Sequence, residues 1–155
     1  FPNSLPGDIL DSVRLNLDDR QTDRKRSPDF RRKVLRAYES RCCVCGYDLR
    51  IGNSPAGLEA AHIKWHQAGG PDVESNGLAL CTLHHKLFDL GAYTIEPDEM
   101  RILVSQDVTG STGSSQLTMI HGNKVIPPQS EQYFPAPEYL SWHRDVIFKK
   151  PHRVV

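Results

Sequence analysis

Two short stretches decide how this chain folds: Cys42-Cys43-Val44-Cys45-Gly46, and Cys81-Thr82-Leu83-His84-His85-Lys86-Leu87-Phe88-Asp89. The first contains Cys-x-x-Cys, with a glycine after it to permit a tight turn. The second opens with Cys-x-x-His, and 35 residues lie between Cys45 and Cys81. Two such pairs, each directing both side chains to one point, give the Cys3His set of a closed structural zinc site: Cys42, Cys45, Cys81 and His84. Cys43 is left over as a small buried filler, and a set with Cys43 in place of Cys42 stays open, as does a disulfide. Adjacent residues on a helix point about 100° apart. His84 can therefore serve the knuckle while His85 faces a different pocket.

Working outward, the segment between the pairs holds Glu59-Ala60-Ala61-His62-Ile63 and then Ser75-Asn76-Gly77. Leu58 to Ile63 has the length and composition of a strand. Gly69-Gly70-Pro71-Asp72 breaks the chain, and Gly77 to Leu80 leads into a helix from about Thr82 to Leu90, stopped by Gly91. His62, Asn76 and His85 are spaced 14 and then 9 residues apart.

Nested in this order between the halves of a zinc knuckle, these residues resemble the HNH endonucleases. The phrases AAHIKWHQAGGPD, SNGLALC, HHKLFDLGAYTI and APEYLSWHRDVIF are similar to the nuclease domain of bacterial phosphorothioation-dependent (type IV) restriction endonucleases, over roughly residues 28-150. The resemblance implies an α+β fold: a ββα-metal core with the Cys3His knuckle, flanking helices and a C-terminal β-hairpin and helix extension. It implies phosphodiester hydrolysis, leaving 5′-phosphate and 3′-hydroxyl ends, with His62 as general base and His85 as ligand of a catalytic Mg2+ or Mn2+. Asn76, on the same likeness, braces the loop and orients His62, with metal ligation as its lesser alternative. Asp89, one helical turn beyond His85, is placed to orient that imidazole. One departure is plain: where many members carry an acidic metal ligand just before the base, this chain has Ala61. Glu59 could reach the site, but strand alternation turns it away from His62, and a surface charge is its plain reading.

Charge is uneven along the chain. The totals cancel, 19 Lys+Arg against 19 Asp+Glu, yet residues 20–50 hold ten basic residues against four acids. Within it, Ser27-Pro28-Asp29 reads as a helix start. Phe30, Val34, Ala37 and Tyr38 then share one stripe, with Arg31, Arg32, Lys33 and Arg36 opposite. That face suits a phosphate backbone or, more blandly, solvent. Lys64, His66 and Lys86 lie near the expected site and are further candidates for DNA contact. His121, His143 and His152 fit no pattern and are expected on the surface or in the core. Trp142, Tyr139 and Leu140 read as core.

The remaining chain reads as a hairpin, Ala92 to Ile95 and Arg101 to Ser105, then a polar stretch to Gln116. A second hairpin is expected at Met119 to Ile126 around Gly122-Asn123, and a helix from Pro137 to about Lys149. Residues 1-26 are expected to form a linker or N-terminal arm, 27-150 the nuclease domain, and 151-155 a tail. No run approaches the roughly 18 apolar residues of a membrane helix and no leader opens the chain, so a cytoplasmic protein, bacterial on the resemblance, is expected. Because the chain opens at Phe1, it is expected to be part of a longer protein whose upstream domain reads the modification. Double-stranded DNA, phosphorothioate-modified or methylated, is the expected partner, and a homodimer would serve to cut both strands. The contrasting reading, motivated by Ala61, is a zinc-stabilised nucleic-acid-binding module with a decayed site.

Overall fold

A computed structural model of the chain describes residues 29–154. The arm expected at residues 1-26, the Ser27-Pro28 helix start and the basic residues Arg20, Arg24, Lys25 and Arg26 lie outside the described residues. The described chain is a small α+β structure. Helix α1 (Phe30–Ala37) is followed by a minimal hairpin, β1 (Arg50–Ile51) and β2 (Ser54–Pro55). Strands β3 (Leu58–His62) and β4 (Gly77–Cys81) form the central antiparallel pair, and α2 (Thr82–Asp89) follows β4 directly. Strands β5 (Tyr93–Ile95) and β6 (Ile102–Val104), a one-turn helix α3 (Ser115–Thr118) and α4 (Pro137–Val146) complete it.

The β3–β4 pair is covered on both faces, which is why β4 reads Gly-Leu-Ala-Leu-Cys with no polar residue and is buried throughout. Its register places Leu58 opposite Cys81 and His62 opposite Gly77. At Gly77 the side chains of α1 pack directly on the backbone: an added Cβ would run into the Val34 side chain and meet Phe30 at 3.1 Å. So α1 lies against the face that carries Gly77 and His62, and its sequence supports this. Phe30, Val34, Leu35 and Ala37 are buried while Arg31, Arg32, Lys33 and Arg36 are exposed. Helix α2 meets the opposite face through His85, which reaches Glu59.

Helix α4 closes the molecule over α2. Proline at its first turn favours initiation there. Leu140 and His143 are both fully buried. The His143 ring stacks on Phe88 of α2 at 3.7 Å and 4° between planes. Its Nε2–H donates to the Phe88 carbonyl at 2.9 Å, and Nδ1 accepts from the Thr94 hydroxyl at 2.8 Å. Burial pushes this imidazole down to about 4, so it is a neutral core residue at pH 7.

The chain turns back at Gly52-Asn53 and pairs Ile51 with Ser54. Two local expectations need correction. The hairpin expected at Met119 to Ile126 is absent among the described residues. Instead Lys124 forms an isolated bridge with Arg101, and the Val125 amide donates to the Met100 carbonyl at 2.9 Å. The turn at Gly122-Asn123 is spent docking the chain on the edge of β6, since the Ile102 amide donates to Asn123 and the Gly122 amide to Ile102. The last helix ends at Val146 rather than near Lys149.

Candidate metal and catalytic centre

The four ligand atoms of Cys42, Cys45, Cys81 and His84 lie within 4.8 Å of one another. Cys81 Sγ lies 3.2 Å from His84 Nδ1, and Cys45 to Cys81 and Cys42 to His84 are each 4.0 Å. Ligands at ordinary Zn–S and Zn–N lengths around a tetrahedral ion sit about 3.5–3.8 Å apart, so the group fits zinc. His84 is prepared for Nδ1 ligation because its Nε2–H donates to the Gln116 carbonyl at 3.0 Å, which fixes the tautomer. The Cys81 sulfur accepts from the His84 amide at 3.5 Å. Shared hydrogen bonds with Cys45 and then Cys81 pull the Cys42 thiol below its ordinary value. Cys43 is buried away from the cluster and burial raises its thiol, so the choice left open by the spacing falls to Cys42.

His85, on the next residue of α2, turns to the β3 face. Its Nδ1 lies 2.7 Å from Glu59 Oε1 and its Nε2 lies 3.3 Å from Asp89 Oδ2. Burial opposes charge on this ring, but hydrogen bonds with Asp89 and Glu59 outweigh it and push the imidazole up to about 9. Glu59 is therefore not a plain surface charge. It shares a strand face with Ala61, two residues on, and Ala61 is fully buried. A carboxylate thus reaches His85 from β3 in spite of the missing acid. The two carboxylates flank opposite nitrogens of the ring and hold it in place; among the described residues the group whose ligand atoms converge is that of Cys42, Cys45, Cys81 and His84.

His62 sits at the end of β3 on the other face. Its ring stacks on Phe30 at 4.1 Å and 13°, and Nε2 lies 2.6 Å from Asp72 Oδ1. The His66 ring is 6.4 Å away. Asn76 is fully buried, and its side-chain hydrogen bonds go to the backbone of the β3–β4 connection rather than to His62. Its amide nitrogen donates to the carbonyls of Lys64 (3.0 Å) and Pro71 (2.9 Å), and its side-chain oxygen accepts from the Lys64 amide (2.8 Å).

Sequence reasoning missed Asp72; it turned Glu59 away from His62, as found, but its plain reading of Glu59 as a surface charge overlooked the contact with His85. The signal for Asp72 was present in the Gly-Gly-Pro-Asp turn, which sends the chain back toward the strand it left.

The basic candidates separate into groups. Arg31, Arg32 and Arg36 converge with Arg50 and Gln129 on a cleft of about 560 Å3. Arg32 also pairs with Asp29 at 2.7 Å, and Arg31 donates to the Leu58 carbonyl at 3.3 Å. Lys33, His66 and Lys86 are exposed elsewhere and Lys64 is half-buried. Among the expected core aromatics, Trp142 is half-buried with its ring 6.2 Å from Trp65. No helix among the described residues is long and apolar enough to cross a membrane.

No curated protein matches the chain. Among solved structures the fold is similar to a "Modification dependent TagI restriction endonuclease", with a TM-score of 0.54 and 27% sequence identity. That likeness covers 76% of this chain but 36% of that one, so the chain spans well under two thirds of that protein. Residues 42–96, which hold both halves of the knuckle together with His62, Asn76 and His85, match the HNH endonuclease family. The chain thus resembles the HNH endonucleases over residues 42–96 and a restriction endonuclease in its fold, and a nuclease role is what the two comparisons support.

Proposed function

We propose that this domain is a divalent-metal-dependent endonuclease of double-stranded DNA, the cleavage part of a restriction enzyme directed at modified, phosphorothioate-bearing DNA. The observation that carries the reading is the placement of His62, Asn76 and His85 on one strand–strand–helix unit wrapped by the Cys3His cluster. Structural zinc at Cys42, Cys45, Cys81 and His84 holds the start of α2. Mg2+ or Mn2+ at His85, when bound, neutralises charge on the phosphoryl oxygens and on the departing oxygen. His62 takes the proton of the attacking water. Asn76 holds the β3–β4 connection, and Asp89 and Glu59 set the ring of His85. Arg31, Arg32 and Arg36 anchor the DNA backbone, with Lys33, Lys64, His66 and Lys86 as outlying contacts. A modification reader upstream and a homodimer that cuts both strands complete the proposal, in a bacterial cytoplasm.

The test is nicking and linearisation of supercoiled plasmid, with and without phosphorothioate, in Mg2+ or Mn2+. Cutting that requires the cation and is lost in His62→Ala supports the reading; cutting that survives His62→Ala sinks it. A second reading, a DNA-binding module with a decayed site, is favoured by Ala61 alone. It predicts salt-dependent DNA binding that is indifferent to divalent cations, with no cleavage.

A further inference from the structure

The connection between β3 and β4 leaves His62 and brings a carboxylate back to it. Asp72 Oδ1 lies 2.6 Å from His62 Nε2, and both side chains are largely withdrawn from solvent, at 24% and 29% exposure. A carboxylate only accepts hydrogen bonds, so the Nε2 it faces carries the proton. In the neutral ring the lone pair is then on Nδ1. With Phe30 stacked on one face of the ring and Asp72 holding its Nε2 edge, the imidazole is fixed in both orientation and tautomer.

Asn76 acts at one remove. Its amide clamps Lys64, two residues after His62, to Pro71, the residue before Asp72. The clamp is tight enough that Gly70 has no room for a side chain, because a Cβ there would overlap the Lys64 carbonyl. Asp72 therefore reaches His62 along a path set by Asn76.

We infer that Asp72 is the positioning residue of the general base, and that Asn76 orients His62 through Asp72. The inference rests on the nuclease reading with His62 as base. In the step concerned, His62 Nδ1 accepts a proton from water as the water oxygen forms its bond to phosphorus. The bond from phosphorus to the 3′ oxygen breaks, and that oxygen leaves with a proton from solvent. The Nε2 proton stays on the ring and hydrogen-bonded to Asp72; none passes to the carboxylate. Asp72 stabilises the doubly protonated ring that results and keeps Nδ1 aimed at the water.

The experiment uses the full chain, supercoiled plasmid and Mn2+, with Asp72→Ala, Asp72→Asn, His62→Ala and the Asp72→Ala/His62→Ala pair. Zinc content and thermal unfolding confirm that each variant is folded. The expected result for Asp72→Ala is a kcat lower by at least about 10-fold, with KM changed by less than about twofold, since a carboxylate that orients a general-base imidazole acts on the chemical step and not on DNA binding. The double variant should be no slower than His62→Ala alone, since Asp72 acts only through that ring. Proton–nitrogen correlation NMR of the His62 ring should find the proton on Nε2 in the wild type and shared between both nitrogens in Asp72→Ala. Asp72→Asn, which keeps an acceptor oxygen without the charge, should retain the Nε2 tautomer with an intermediate kcat, and it carries the test should Asp72→Ala fail to fold. Wild-type kcat in Asp72→Ala, with His62→Ala inactive, overturns the role of Asp72 and leaves the base reading intact. Additive losses in the double variant overturn the coupling. Cleavage at the wild-type rate in His62→Ala overturns the underlying reading instead. The tautomer needs no turnover, so a His62 proton on Nδ1 in the wild type refutes the inference independently.

Discussion

At the scale of single residues, the buried side chains of Asn76 and His143 have specific partners, and removing one leaves the other unpaired. Asn76→Ala would leave the Lys64 amide and the Lys64 and Pro71 carbonyls without their partner in a half-buried connection. The expected cost is about 2–3 kcal/mol, read as a shift in urea midpoint, together with loss of cleavage. His143 makes a pH prediction. Its folded value of about 4 lies below the ordinary 6.5, so the unfolded chain binds the proton more tightly. Stability conferred by the neutral ring is complete above 6.5 and is lost as pH falls from there toward 4, by up to about 3 kcal/mol. Urea melts of wild type and His143→Gln across that window should show the extra slope only in the wild type. Protonation of the zinc ligands acts on both proteins and cancels in the comparison.

Elements transmit these effects through α1 and the β3–β4 pair. Gly77→Ala places a methyl against Val34 and Phe30. The helix must move outward, at about 1–3 kcal/mol for overpacking, and Phe30 leaves the ring of His62. Cleavage should consequently fall by more than the stability loss explains, which plasmid assays well below the melting temperature would detect. The cysteine and histidine spacings, the stripe of α1 and the length of β3 were legible in the sequence because each depends on a local repeat or turn. What was not legible depends on where a non-local partner sits. Asp72 is ten residues from His62, Glu59 is 26 from His85, and neither pairing leaves a periodic trace. The hairpin expected at Met119 to Ile126 failed for a related reason. Its turn residues were identified correctly, but the edge of β6 offered that segment better backbone partners than its own two halves did.

For the molecule as a whole, the knuckle ties the start of α2 to the turn after α1 and, through the Gln116 carbonyl, to α3. Extracting zinc with a chelator should therefore unfold the domain rather than one loop. Cys45→Ser or Cys81→Ser should do the same, monitored by circular dichroism and metal content. The arginine cleft gives a second prediction at this scale. Replacing Arg36 and Arg50 together by glutamine should weaken DNA binding for all sequences alike and lower the slope of log K against log salt by about two.

His84 and His85 are successive residues of α2, one turned to the sulfur cluster and the other to Glu59 and Asp89. A single peptide unit separates the ligand proposed for zinc from the ligand proposed for the catalytic cation. Cobalt exchanged into the knuckle would consequently serve as an optical reporter beside the catalytic position. Its visible bands should change when Mg2+ occupies His85, giving a colorimetric titration of an otherwise spectroscopically silent ion.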